Sequence, residues 1–287
     1  MMIEKWLLKH TRSLAGKTVA VSGSTGGIGR ELCRYLSALG ADLILLDRNS
    51  IKANTLADSL KKEHPALSVR HIPLDLEDIE SVRTALPQIK EAAPDYLILN
   101  AGAYFIPRKK SGLGLENVFQ INFLSPYFLA RELKPLGTHI VAVSSIALFY
   151  SSIDENDVDF STREKPSLIY GNSKRYLTSA LYSLFADSKN LSVVHPGITL
   201  TGITAHYPKW IYAIIKHPMK IIFMSPKLAA LSVLLGIFTH TDENEWIGPR
   251  ILNIWGLPKK MKLKFCSNRE AEFIEKTADR LYMDMKE

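Results

Sequence analysis

Seven short runs rich in leucine and β-branched residues alternate with stretches of helical periodicity, and this alternation leaves few architectures open. The runs fall at 17–23, 41–48, 67–75, 95–102, 138–145, 191–197 and 250–256. They are nearly continuous in apolar residues, the mark of strands buried on both faces. Between them, 27–39, 50–63, 77–92, 115–134, 166–188 and 226–238 repeat apolar residues at three- and four-residue intervals. The pattern predicts a doubly wound α/β fold, three layers thick, with a mainly parallel seven-stranded sheet. No Pro/Gly/Ser-rich linker or internal repeat divides the chain, so one domain is expected over 1–287. Its core would be 15–256, preceded by an N-terminal helix in 1–14 and followed by a tail, 257–287, with a helix from Asn268 to Met285.

Composition narrows the function classes. Two cysteines, Cys33 and Cys266, give neither a disulfide framework nor metal-ligand spacing, so no metal and a reducing, cytoplasmic setting are expected. The net charge of +7 favours acidic ligands. The basic residues are spread along the chain without a nucleic-acid motif, so nucleic-acid binding is not expected. No signal-peptide core and no apolar run long enough to span a bilayer is present. Two segments are amphipathic: Ile3, Trp6, Leu7, His10 and Leu14 at helical spacing, and the aromatic, basic stretch 206–223. Either could lie in a membrane interface. Peripheral membrane contact is the less favoured reading; the first is expected to pack on the domain and the second to line a substrate pocket.

Three groups of residues point to chemistry. After the first run come Gly23, Gly26, Gly27 and Gly29, with a helix opening behind them. Such a turn lets backbone approach a ligand closely and offers helix N–H groups to a phosphate, a dinucleotide-binding arrangement. Asp47, about 20 residues on, suits an adenosine ribose, whereas Arg48 beside it suits a 2′-phosphate. The two could instead pair with each other; with no basic residue in the glycine turn, the balance leans to NAD over NADP. Third, Tyr170 and Lys174 stand about 40° apart on one helix face. An ammonium there would lower the phenol's pKa toward the neutral range.

These residues resemble the short-chain dehydrogenase/reductase family, over 15–256. The family's glycine motif is matched by "SGSTGGIG", with Ser22 in place of threonine, and its adenine-contacting pair by Asp75 and Leu76. "LNAG" carries Asn100, Ala101 and Gly102, with Leu99 where an asparagine is usual. Asn122, Ser145 (a better match than Ser144), the pair Tyr170 and Lys174, and the Pro196–Gly197 turn follow in order. The resemblance implies an NAD(P)-dependent oxidoreductase of Rossmann type that interconverts a carbonyl and an alcohol. Tyr170 would be the acid or base, Lys174 its pKa-lowering neighbour and a ribose contact, and Ser145 the orienting hydroxyl. Asn122 would hold a water linking Lys174 to solvent. Gly23, Ser24, Gly27, Ile28, Gly29, Asp47, Arg48, Asp75, Leu76, Asn100, Ala101, Gly102, Pro196, Gly197, Ile198 and Thr201 would surround the cofactor. His195 is read as structural.

The connection from Ser145 to Tyr170 is long and acidic, with Asp154, Glu155, Asp157, Asp159 and Glu164. It resembles the retinol-dehydrogenase-like branch, which handles apolar substrates; a substrate lid and a solvated surface loop are weighed equally. Segment 201–224 falls where the family binds substrate and would form an apolar cover or face another subunit. Family members commonly form homodimers or homotetramers through the helices carrying Asn122 and Tyr170, so the same is expected here. The alternative function is a catalytically silent nucleotide-sensing or scaffold protein on the same fold.

Overall fold

The computed structural model describes residues 2–199 and 223–287. Strands β1 (Thr18–Ser22), β2 (Asp42–Asp47), β3 (Val69–Pro73), β4 (Tyr96–Leu99), β5 (His139–Val143), β6 (Leu191–Val194), β7 (Glu245–Ile251) and β8 (Trp255–Lys262) form one sheet. Their order is β3-β2-β1-β4-β5-β6-β7-β8; of these, β8 runs antiparallel to its neighbour. Continuous apolar sequence makes β1, β2, β4, β5 and β6 two-sided strands, and helices cover both faces.

On one face lie α1 (Met2–His10), α2 (Gly27–Ala38), α3 (Ser50–Glu63) and α7 (Pro226–Phe238), packed through residues such as Leu32, Leu60 and Leu231. On the other lie α4 (Ile79–Glu91), α5 (residues 117–133), α6 (Pro166–Leu184) and α8 (Asn268–Asp284), joined by Phe119, Phe123, Tyr176 and Ile274. Helix α5 is interrupted at Gln120–Leu124 by a π-turn that contains Asn122. The chain reverses its direction of growth between β1 and β4, and a cleft opens at their carboxyl ends.

The sheet has eight strands, not the expected seven: the apolar run 250–256 straddles a hairpin turn, with strands on either side. Leu252 and Asn253 take left-handed φ of 51° and 58°, so the run cannot continue as one strand. The face expected to meet a second subunit is also occupied. Helix α8, started by a Ser267/Glu270 capping box, buries Ile274, Ala278, Leu281 and Tyr282 against α5 and α6. Arg175–Glu270 at 2.9 Å and the Arg131–Asp279 pair fasten it. The outer faces of the helices that carry Asn122 and Tyr170 are therefore covered within the chain.

The acidic connection, finally, is solvated only in part: Glu155, Asn156 and residues 161–165 are exposed. Asp157 and Asp159 are buried, and Asp159 accepts the Glu116 N–H at 2.6 Å. Arg108 donates to the carbonyls of Ser161 and Arg163, and Phe160, at φ 55°, is buried with Val118 and Ile169. These ties hold the connection against α5 and α6.

Helix α1 packs on the domain, with Trp6 buried and stacked on His10. No helix among the described residues is long and apolar enough to cross a membrane.

Candidate functional site

The glycine turn is shaped by contact. Gly23 has φ +66°, and a Cβ there would stand 2.9 Å from Ala101 Cα; one on Gly29 would lie 2.2 Å from the Gly23 carbonyl oxygen. Ser22 fastens the two strand ends at the cleft. Its hydroxyl donates to Ile98 O at 3.1 Å and accepts from the N–H groups of Asn100 and Ala101. Asn100 Nδ2 donates to the carbonyls of Ser22 and Gly23. Gly27 and Ile28 open α2 behind a Gly26 cap, leaving the first N–H groups toward the cleft.

Asp47 does not present a free carboxylate. It accepts from the backbone N–H and hydroxyl of both Ser24 and Thr25. It therefore pairs with the loop rather than with Arg48, which is exposed and has no hydrogen-bond partner among the described residues. The lean toward NAD assumed an Asp47 available to a ribose, and it loses that support. Asp75 closes a local turn, accepting the Glu77 N–H at 3.0 Å, and Leu76 is buried.

Beyond β5 the chain turns sharply, and its two serines part. Ser144 is buried and hydrogen-bonded to Thr178 Oγ1 at 2.7 Å. Ser145 accepts the Ala147 N–H at 3.2 Å, and its hydroxyl favours the ionised form of the neighbouring Tyr170 phenol. Burial pushes Tyr170 up to about 12, against the pull of Ser145. Lys174 is buried, donates to Val143 O at 2.8 Å, and lies 5.8 Å from the Tyr170 ring centre. Burial lowers its pKa to about 8. The expected lowering of the phenol by this lysine is absent: the ammonium is turned to a carbonyl and is itself driven toward neutrality.

Asn122 lies at the same junction. Its amide exchanges two hydrogen bonds with Ala103, both 2.7 Å, and donates to Ser173 Oγ, which donates to Tyr170 O. The side chain pins the β4 loop to α6. Gly102 sits at this junction, a Cβ there lying 3.1 Å from Asn122 Oδ1 and 3.7 Å from Lys174 Nζ.

His195 is buried, stacked on Trp246 at 5.1 Å, with Nε2 2.8 Å from Asn253 O; burial lowers it to about 4, so it is neutral. Pro196, Gly197 (φ +82°) and Ile198 line the same edge, and Ile198 O accepts the Met224 N–H. Thr201 and most of the expected substrate cover, 201–222, lie outside the described residues.

Three residues here carry no sequence motif. Tyr104 packs edge-on to Tyr170 at 5.3 Å between ring centres, Arg175 donates to Leu148 O, and Gly171 approaches Ala147. Of these, Gly171 alone has a visible signal, a glycine inside a helical pattern. Among the described residues no cluster of His, Cys, Asp or Glu could hold a metal ion.

The lysine has a measurable consequence. Between pH 8 and 10.5 the unfolded chain binds the Lys174 proton while the folded one has lost it, so this group makes stability rise with pH there. Urea melts should show wild type gaining about 3 kcal/mol on Lys174→Met across that window. A gap that stays constant with pH would contradict the buried, depressed ammonium.

A glycine turn at a strand-order reversal, with serine, tyrosine and lysine gathered at the same sheet edge, defines a nucleotide-binding α/β protein of the dehydrogenase type. The short chain dehydrogenase family model matches residues 17–156. The chain is 32% identical over 225 residues to short-chain dehydrogenase TIC 32 A, chloroplastic, of Brassica napus, covering 68% of each. It is 31% identical over 219 residues to human retinol dehydrogenase 14, covering 67% of this chain and 64% of that one. The chain belongs to the short-chain dehydrogenase/reductase family. It spans only 54% of a WW domain-containing oxidoreductase of Drosophila melanogaster, at 29% identity over 72% of its own length. A short-chain dehydrogenase from Sphingobium yanoikuyae, solved with NADPH, shares the fold with TM-score 0.60 and 22% identity, over 77% of this chain and 84% of that one.

Proposed function

We propose that the chain is an NADP(H)-dependent oxidoreductase that interconverts a carbonyl and an alcohol on an apolar substrate. The observation that carries this reading is Tyr170, with the Ser145 hydroxyl beside its phenol and Lys174 Nζ 5.8 Å from its ring centre, at the sheet edge fed by the glycine turn. The residues fit a dinucleotide: Gly23 and Gly29 give the backbone its close approach, and Gly102 leaves space beside Lys174. Gly23, Ser24, Gly27, Ile28 and Gly29 would hold the pyrophosphate, Asp75 and Leu76 the adenine, and Pro196, Gly197 and Ile198 the nicotinamide end. The nicotinamide, when bound, supplies or accepts the hydride.

The chain's own part is position and proton control. Ser145 orients the substrate oxygen, and Tyr170, kept protonated by burial, donates to it during reduction. Tyr104 packs edge-on against the Tyr170 ring. An apolar wall with few polar groups suits an apolar carbonyl.

NADP is preferred over NAD because Asp47 is consumed by Ser24 and Thr25, while Arg48 has no partner among the described residues at the end of β2. The Sphingobium relative's NADPH points the same way. Fluorescence titration with NADPH and NADH, then a carbonyl panel, tests the reading. Arg48→Ala should weaken NADPH roughly tenfold or more and leave NADH unchanged; equal losses on both would return the choice to NAD. Firm cofactor binding without turnover on any carbonyl would favour the silent nucleotide sensor.

A further inference from the structure

The β7–β8 hairpin has an unusual surface. From Trp246 to Leu263 it contains Arg250, Lys259, Lys260 and Lys262 and no acid. Lys260 pairs with Glu245 at 2.7 Å; Arg250, Lys259 and Lys262 are exposed and have no ionic partner among the described residues. At the tip, Ile251, Leu252 and Trp255 are 46%, 83% and 42% exposed. Leu252 also takes φ 51°, a left-handed conformation that costs a leucine about 1–2 kcal/mol. It thus bears both backbone strain and hydration with little burial inside the chain to offset them.

The tip is braced from beneath. Asn253 O faces His195, Ile254 N–H donates to Ile251 O, and Gly197 approaches Ile254 O so closely that a Cβ would stand 2.8 Å away. Phe149 and Tyr150 are exposed on the turn after Ser145, and Phe149 packs edge-on to the buried Trp246 of β7. Three of the eleven exposed large apolar side chains among the described residues, Ile251, Leu252 and Trp255, lie within five residues of one another at this tip, so they form a cluster rather than a scatter.

Lysines on an edge strand guard against aberrant strand pairing, and that alone would explain Lys259 and Lys262. It does not explain an exposed leucine and tryptophan between cations. A second copy of the chain is a poor occupant, because a two-fold contact would set the cations against themselves. We propose that this hairpin docks the chain on an anionic lipid surface. Leu252 and Trp255 enter the interface, Arg250 and Lys259 meet headgroup phosphates, and the cleft opens toward the bilayer. The proposal stands on the hairpin and does not need the oxidoreductase reading.

The test is sedimentation of the full chain with phosphatidylcholine vesicles, plain or about one-third phosphatidylglycerol. Wild type should pellet with the anionic vesicles only and be released by high salt. Leu252→Asn keeps the fold, because asparagine accepts positive φ, and should lower partitioning about tenfold. Arg250→Gln with Lys259→Gln should lower it roughly twenty-five-fold, at about fivefold per cation. A chain left in the supernatant with both compositions overturns the proposal, as does a Leu252→Asn variant that pellets like wild type. A Leu252→Asn shift from dimer to monomer on size exclusion would give the tip to a second copy instead. NADPH titration of the same samples reads the cofactor site separately, so failure of one assignment is distinguishable from failure of the other.

Discussion

Tyr170→Phe is expected to reduce turnover about a thousandfold and to leave NADPH affinity within a factor of two or so. The substitution removes one oxygen and little else. The ring keeps its edge-on contact with Tyr104, and the helix keeps Ser173 bonded to the residue-170 carbonyl. What disappears is the proton that burial holds on the phenol at neutral pH, together with the phenol's interaction with Ser145. Stopped-flow hydride transfer and a fluorescence titration separate the two quantities. Turnover close to wild type would remove Tyr170 as the proton donor, and loss of cofactor affinity would make it a binding residue instead. The pH response sharpens the test. With the phenol near 12, carbonyl reduction by wild type should vary little with pH across the neutral range, whereas alcohol oxidation, which needs the phenolate, should accelerate with pH.

Much of this arrangement is legible in the sequence because backbone demands constrain residue type directly. Two-sided strands must be apolar throughout, so β1, β2, β4, β5 and β6 stand out at nearly their observed limits. Glycines that brush against carbonyls must be glycines, so the turn at Gly23 and Gly29 shows itself in the residue pattern.

The rest depends on where side chains point, which spacing does not encode. Asp47 is on the expected strand end, but the hydroxyls of Ser24 and Thr25 claim it. Asn122 is on the expected helix, but Ala103 takes its amide. Lys174 shares a face with Tyr170, yet Val143 O lies nearer its ammonium. The hairpin is hidden because Leu252 is a poor residue for a left-handed turn, and the apolar run looks unbroken. A strained residue that defeats pattern reading is itself a pointer to function. Covering of α5 and α6 by α8 is hidden for a different reason: an amphipathic tail helix does not announce which face of the domain it will bury.

Gly171→Ala sets two effects against each other. Alanine is the better helix former by about 1 kcal/mol, so an open site in the middle of α6 would gain stability. This site is not open. A Cβ on Gly171 would stand 2.4 Å from Ala147 O and 2.9 Å from Ser151 Cβ, well inside contact distance. Helix α6 is buried along most of its length and cannot retreat, so the turn from Ile146 to Tyr150 must move. That turn hangs from Ser145, whose hydroxyl accepts the Ala147 N–H, and it is tied by Arg175 to Leu148 O. Pushing it outward draws Ser145 from Tyr170 and opposes the Arg175 tether. A misplacement of about 1 Å at a reacting group costs on the order of a hundredfold in rate. The variant should therefore melt below wild type and lose roughly that much turnover, with cofactor binding preserved because the glycine turn is untouched. If it instead melts higher and turns over normally, the close approach of the turn to the catalytic helix is not what sets Ser145.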